Sequence, residues 1–250
     1  METTNSSHGF APLPVLPGDN VTNEIIAVTT TLKLGYGLLE DGDRILATSP
    51  GILVFKRPNS FSVISDSKRY IAAVGDNVIG IVVDKLSEHY KVQLYGNSIA
   101  ILPVLAFDGA SRRNKPDLEI GTLIYARVTK CSLYMEPELS CQALPGMTKK
   151  DWVTKQSFYG ELTEGTCIKV STSFAYRLLL PTCSILSTLG GVVPFEIAVG
   201  MNGYLYVKSV NITYTNAIVQ ILPTLIYLSE KQAVKAIKGS LPNFLVEESR

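Results

Sequence analysis

Apolar and polar positions alternate in short runs through the first two thirds of the chain, and Gly, Asp, Pro and Asn punctuate the runs. A period of two sends successive side chains to opposite faces, so the pattern predicts half-buried strands rather than helices. Between Val21 and Tyr70 such runs include Arg44-Ile-Leu-Ala and Gly51-Ile-Leu-Val-Phe, which predicts a small β domain over residues 21–72. Further runs begin at Val74-Gly-Asp-Asn-Val-Ile, His89-Tyr-Lys-Val-Gln-Leu, Ser98-Ile-Ala-Ile-Leu, Gly121-Thr-Leu-Ile-Tyr and Glu138-Leu-Ser-Cys. Their spacing fits an OB-type barrel over residues 73–146.

After Gly146 the texture changes. Thr166 to Val170 reads as a strand, helical runs start at Phe174 and Cys183, two strands flank Gly200 to Gly203, and a final helix is expected around Ala217 to Ile237. This order fits a KH-type module over residues 147–250. Residues 1–20, rich in Thr, Ser, Asn and Pro, read as a mobile arm. The expected fold class is therefore mainly β with a C-terminal α+β module.

Composition narrows the function. With 46% apolar residues among 250, the chain has material for a substantial core, which excludes general disorder. The formal charge is only +1, so nucleic-acid binding has to come from local clustering of cations. The most apolar stretch, Leu178 to Val199, is broken by Pro181, Pro194 and Glu196 before a membrane span could form. The opening Met1-Glu-Thr-Thr-Asn-Ser-Ser-His has no basic and apolar signal pattern, and the expectation is an intracellular protein. Cys131, Cys141, Cys167 and Cys183 form no Cys-x-x-Cys pair and read as reduced structural thiols.

Two short segments carry candidate chemistry. Phe107-Asp-Gly-Ala-Ser-Arg-Arg-Asn-Lys-Pro, between the third and fourth barrel runs, crowds Arg112, Arg113 and Lys115 into four residues. Single-stranded nucleic acids are held by phosphate-directed cations together with aromatic platforms. Tyr90 and Lys91, with His89 beside them, could add a stacking ring and a further charge. The loop reads equally well as a solvated basic surface. Gly200-Met-Asn-Gly satisfies the Gly-x-x-Gly pattern of KH backbone clamps, but the runs on either side are strand-like. Asn202-Gly203 is then better read as a hairpin turn, making Gly200, Asn202 and Gly203 structural.

Catalytic chemistry is not readable. His8 and His89 are the only histidines, Glu136 and Glu138 flank Pro137, and Asp41 and Asp43 lie in a turn. None of these forms the convergent acid–base pair or metal-binding carboxylate set a nuclease requires. No catalytic residue, metal ligand or cofactor is expected.

Phe107-x-Gly-Ala-x-Arg-Arg-Asn-Lys-Pro, Met135-Glu-Pro-Glu and Gly200-Met-Asn-Gly occur in that order, and the chain resembles the S1/KH cap subunits of the RNA exosome from about Val15 to the final helix. The resemblance implies an N-terminal β domain, an S1 barrel and a KH domain. It also implies a seat on a ring of RNase PH-like subunits beside other cap subunits, with single-stranded RNA as ligand and no membrane partner. Arg112, Arg113, Asn114 and Lys115 become RNA-facing positions near the entry pore, and the Gly-x-Asn-Gly turn becomes a packing element between the S1 and KH domains. Cleavage would belong to other subunits, and the nucleus, nucleolus and cytoplasm would be the sites of action. The sister cap subunit and a pure scaffold that never meets RNA stay open as alternatives; the scaffold predicts an exposed apolar face carrying Ile52, Val54 and Phe55.

Overall fold

The computed structural model describes residues 13–27, 33–56, 59–65, 70–95, 98–132, 134–144, 146, 158–180 and 183–247. The first twelve residues of the expected arm and the stretch 147–157 lie outside the described residues. Contacts divide the chain into residues 1–67 and 68–250.

The first unit runs β1 (Leu13–Val15), α1 (Thr22–Ile26), β2 (Lys33–Leu34), β3 (Leu38–Asp41), β4 (Arg44–Ala47), β5 (Gly51–Lys56) and β6 (Ser60–Ile64). β1, β5, β6 and β2 form a sheet in that order, and β3 with β4 makes a separate hairpin. Val15, Val21, Ile25, Ile45, Leu53, Phe61 and Val63 are buried together. Part of the expected arm is thus structured: Leu13–Val15 pairs antiparallel with β5 because Val15 has a place in this core. The expected face of Ile52, Val54 and Phe55 also divides. Ile52 is outward and exposed, whereas Phe55, one position out of phase with it, packs on the Phe61 ring at 4.8 Å between centroids.

The second unit opens with β7 (Asn77–Lys85), β8 (His89–Tyr95), β9 (Ser98–Pro103), β10 (Leu123–Lys130) and β11 (Glu138–Ser140). Their order β11-β9-β8-β7-β10 closes on itself through a β10–β11 pairing, which makes the barrel. Alternation fills it: Val82, Val92, Ala100, Leu102, Ile124 and Val128 are fully buried. A further strand, β12 (Gly160–Leu162), joins the same sheet on β10. The barrel sheet therefore reaches past the expected boundary at residue 146. Tyr159, just ahead of β12, covers Tyr125 of β10 at 5.4 Å and donates its hydroxyl to Asn77 Oδ1.

The rest is β13 (Thr166–Lys169), α2 (Thr172–Leu179), α3 (Ile185–Gly190), β14 (Phe195–Val199), β15 (Tyr204–Ser209), α4 (Ile212–Thr224) and α5 (Glu230–Glu247). The sheet order is β13-β15-β14. Leu205, Val207 and Val199 face the helices, whose Phe174, Ile185, Leu189, Ile218 and Ile237 complete a second core. Tyr206, with Tyr204, Cys167 and Ala198, packs instead on the barrel core, so this sheet lies between helices and barrel. The single final helix expected from the sequence is two helices, α4 and α5, parted at residues 225–229.

Candidate nucleic-acid interface

On β8 the pleat sends Tyr90, Val92 and Leu94 into the barrel and leaves His89, Lys91 and Gln93 on its outer face. Tyr90 is 1% exposed, so its ring has no face to offer a base and the stacking role read for it is corrected. Its hydroxyl explains why a tyrosine is buried: it donates to Pro116 O at 2.6 Å and accepts from Leu118 N at 3.3 Å. Lys91 is half-buried and pairs with Asp84 at 3.4 Å, which offsets its charge. Ile101 stands opposite Lys91, and Ile99 opposite Gln93, on the outer side of β9.

Tyr90 is thus an anchor for the basic loop. The loop leaves β9 with Phe107 buried against Cys141 and returns with Pro116 and Leu118 buried, while Asp108 accepts from Ala143 N at 2.7 Å. Between these anchors Ser111 N donates to Asn114 O at 2.8 Å and Asn114 N to Ser111 Oγ at 3.1 Å, closing a turn. Arg112, Arg113, Asn114 and Lys115 are all exposed around it, and none of the three cations makes an ion pair among the described residues. Asp117, which could have neutralised one of them, is taken by Lys85. Three free cations on a turn fixed at both ends form a positive tip at the end of the barrel.

Gly200-Met-Asn-Gly is the β14–β15 connection, so the hairpin reading describes it and the clamp reading does not. Its geometry differs from a two-residue Asn-Gly turn. Gly200 N donates to Tyr204 O and Gly203 N to Gly200 O, which leaves three residues in the loop, and only Gly203 has a positive φ, +82°. Asn202 is freed for another task. Fully buried, it donates from Nδ2 to Ile79 O and Leu94 O, each at 2.7 Å, and accepts from Ile79 N at 3.3 Å. Met201 N donates to Asn77 O at 2.7 Å. A Cβ on Gly200 would lie 2.4 Å from Asn202 Oδ1 and 2.9 Å from Ile79 N. The motif therefore staples the hairpin to barrel strands β7 and β8.

A KH clamp belongs between two helices. Here that connection is Leu180-Pro-Thr-Cys-Ser, with neither Gly nor cation. Burial pushes the Cys167 thiol up to about 11 and raises that of Cys141 as well. An exposed ring not singled out in the sequence is Tyr134, 93% exposed on the β10–β11 connection, which is a position that OB barrels use for oligonucleotides. Its signal was its place beside Met135-Glu-Pro-Glu, ahead of β11 and outside any strand.

Comparison with known proteins agrees with this division. Residues 70–151 match the family of the exosome complex component RRP40 S1 domain, and residues 165–213 match the KH domain family. The exosome complex component rrp40 of Schizosaccharomyces pombe is 36% identical over 228 residues, covering 89% of this chain and 92% of its own. The exosome complex component Rrp4 of Pyrococcus furiosus is 28% identical over 202 residues, covering 76% and 72%. A solved structure assigned as an exosome complex RNA-binding protein shares the fold at a TM-score of 0.55 and 20% identity, over 70% of this chain and 98% of that one.

Proposed function

Because the chain belongs to the RRP40 family of exosome complex components, we propose that it is an RNA-binding cap subunit of the type called exosome component 3, holding single-stranded RNA without cutting it. Its partners on this reading are the RNase PH-like ring and the other cap subunits, in nucleus, nucleolus and cytoplasm. The observation that carries the RNA role is the positive tip: Arg112, Arg113 and Lys115 exposed on a turn that Tyr90, Phe107 and Leu118 hold in place. Cations ordered before the ligand arrives lose less conformational entropy on binding.

From that tip the strand runs along the outer face of β8 and β9, past His89 and Lys91, toward Tyr134 at the other end of the barrel, where a base stacks. Phosphate contacts carry no base information, so the grip is indifferent to sequence. The 36% identity to an RRP40 protein against 28% to an Rrp4 protein favours this cap type over its sister. A scaffold role stands beside RNA binding, supported by Leu16, Ile26, Leu39 and Ile52 exposed on the first unit.

The test is a salt titration of RNA binding by the reconstituted assembly. Each phosphate contact contributes about −0.7 to the slope of log affinity against log salt, so Arg112→Ala, Arg113→Ala and Lys115→Ala together are expected to flatten it by about 2. Tyr134→Leu should weaken binding by about 1–3 kcal/mol at unchanged slope. An unaltered slope in the triple variant would leave the tip a solvated surface and put the scaffold role first. The purified chain should also leave RNA intact with Mg²⁺ or phosphate.

A further inference from the structure

Helix α5 buries Ala233 and Ile237 against the second core and exposes Lys231, Lys235 and Lys238. At 100° and 1.5 Å per residue these lysines fall within about 60° of arc on the side facing away from Ala233 and Ile237, spread over about 10.5 Å of axis. None of the three is in an ion pair among the described residues. The nearest acid on the helix, Glu230, is held elsewhere: its Oε1 accepts from Ser184 N at 2.7 Å and Ser184 Oγ at 2.8 Å.

The stripe does nothing for the helix. Like charges four and three residues apart repel, and a cation in the first turn, as Lys231 is, opposes the helix dipole. Nor is it needed to start the helix, since the Gln232 side chain reaches back to the residue just ahead of Glu230, accepting from Ser229 N at 3.2 Å and from Ser229 Oγ at 2.8 Å on Oε1. An ordinary solvated helix face would intersperse Glu with Lys. A column of lysines alone is complementary to a polyanion.

We propose that the Lys231–Lys235–Lys238 stripe is a second RNA-backbone site, on the side of the helices turned away from the barrel. It rests on the RNA-binding reading above and adds a contact surface within the KH-type module that owes nothing to a Gly-x-x-Gly clamp. The contacts are point charges, so the site takes any single strand and gains affinity with strand length until the stripe is spanned.

The experiment uses the full chain and a fluorescently labelled uridine homopolymer, titrated from low to high salt. K231Q/K235Q/K238Q is expected to fold with an unchanged or slightly higher Tm, because Gln is as good a helix former and the repulsion is gone. Its salt slope should be shallower by about 2, and K231R/K235R/K238R should keep the parent slope. If the parent binds with a steep slope and the Gln variant matches it, the stripe is overturned while the barrel-tip reading stands. A Gln variant that fails to join the assembly but retains the parent slope would assign the stripe to a protein partner, which also overturns it. A parent with no salt-dependent binding would remove the RNA reading itself.

Discussion

Asn202 joins groups that lie 123 residues apart in sequence, from Asn202 back to Ile79. Its amide suits the place because it donates twice and accepts once, matching two strand carbonyls and one strand N–H. Asn202→Ala leaves these buried groups unpaired and is expected to cost on the order of 3 kcal/mol in denaturant unfolding. Asn202→Asp should cost more, since a buried carboxylate would face two carbonyl oxygens with no proton to give, and its deficit should shrink as pH falls. Tyr90→Phe is the milder counterpart. It strands Pro116 O and Leu118 N, loosens the basic loop, and should lower RNA affinity several-fold with the salt slope intact, whereas an RNA-stacking tyrosine would tolerate Phe. Glu164 is a different case: it sits at φ +68° between β12 and β13, a conformation that Asn occupies more readily. Glu164→Asn is expected to raise stability by about 0.5–1 kcal/mol, less what its pair with exposed-side Lys208 contributed, as read by Tm.

Among elements, the clasp between α3 and α5 depends on one carboxylate. Backbone and side-chain donors from Ser184 hold the Glu230 carboxyl below its ordinary value of 4.5. A folded-state value below the unfolded one stabilises fully above pH 4.5, and the contribution is lost as pH falls through the lower, folded value. Glu230→Gln should therefore remove part of the stability difference between pH 6 and about pH 3, seen in paired melting curves. The strands of the barrel were legible because their alternation is clean, and the β14–β15 hairpin because Asn-Gly marks a turn. The α4–α5 break was not, since Leu225-Ile-Tyr-Leu-Ser carries no Gly or Pro and the nearby Pro223 lies inside α4. Period two itself argues against Tyr90 and Lys91 acting on one face, as neighbours on a strand point oppositely. The charges of the basic tip were legible; the burial that fixes the tip was not, because it depends on Pro116 and Leu118 folding back on a strand residue.

At the scale of the whole molecule, barrel and KH-type module share their parts. β12 lies beyond the expected boundary at residue 146 yet pairs with β10, and Tyr159 is 2% exposed against Tyr125. A fragment of residues 70–146 is expected to expose the Tyr125 face and aggregate, while one of residues 70–164 should run as a soluble monomer on gel filtration. Neither would contain Asn202, and both should melt below the complete chain. Such sharing was hidden from the sequence, since a three-residue strand and a lone asparagine carry no periodic signal.

The staple also has a place in time. A ribosome adding about 5–20 residues per second releases β12 roughly 2–8 s before it releases Asn202, 40 residues later. During that interval the barrel can close, but the Ile79 and Leu94 carbonyls that Asn202 will cover still face water. The newborn chain thus passes through a stage in which the basic loop is already built on a barrel whose flank is open, and only the arrival of β14 and β15 ends it.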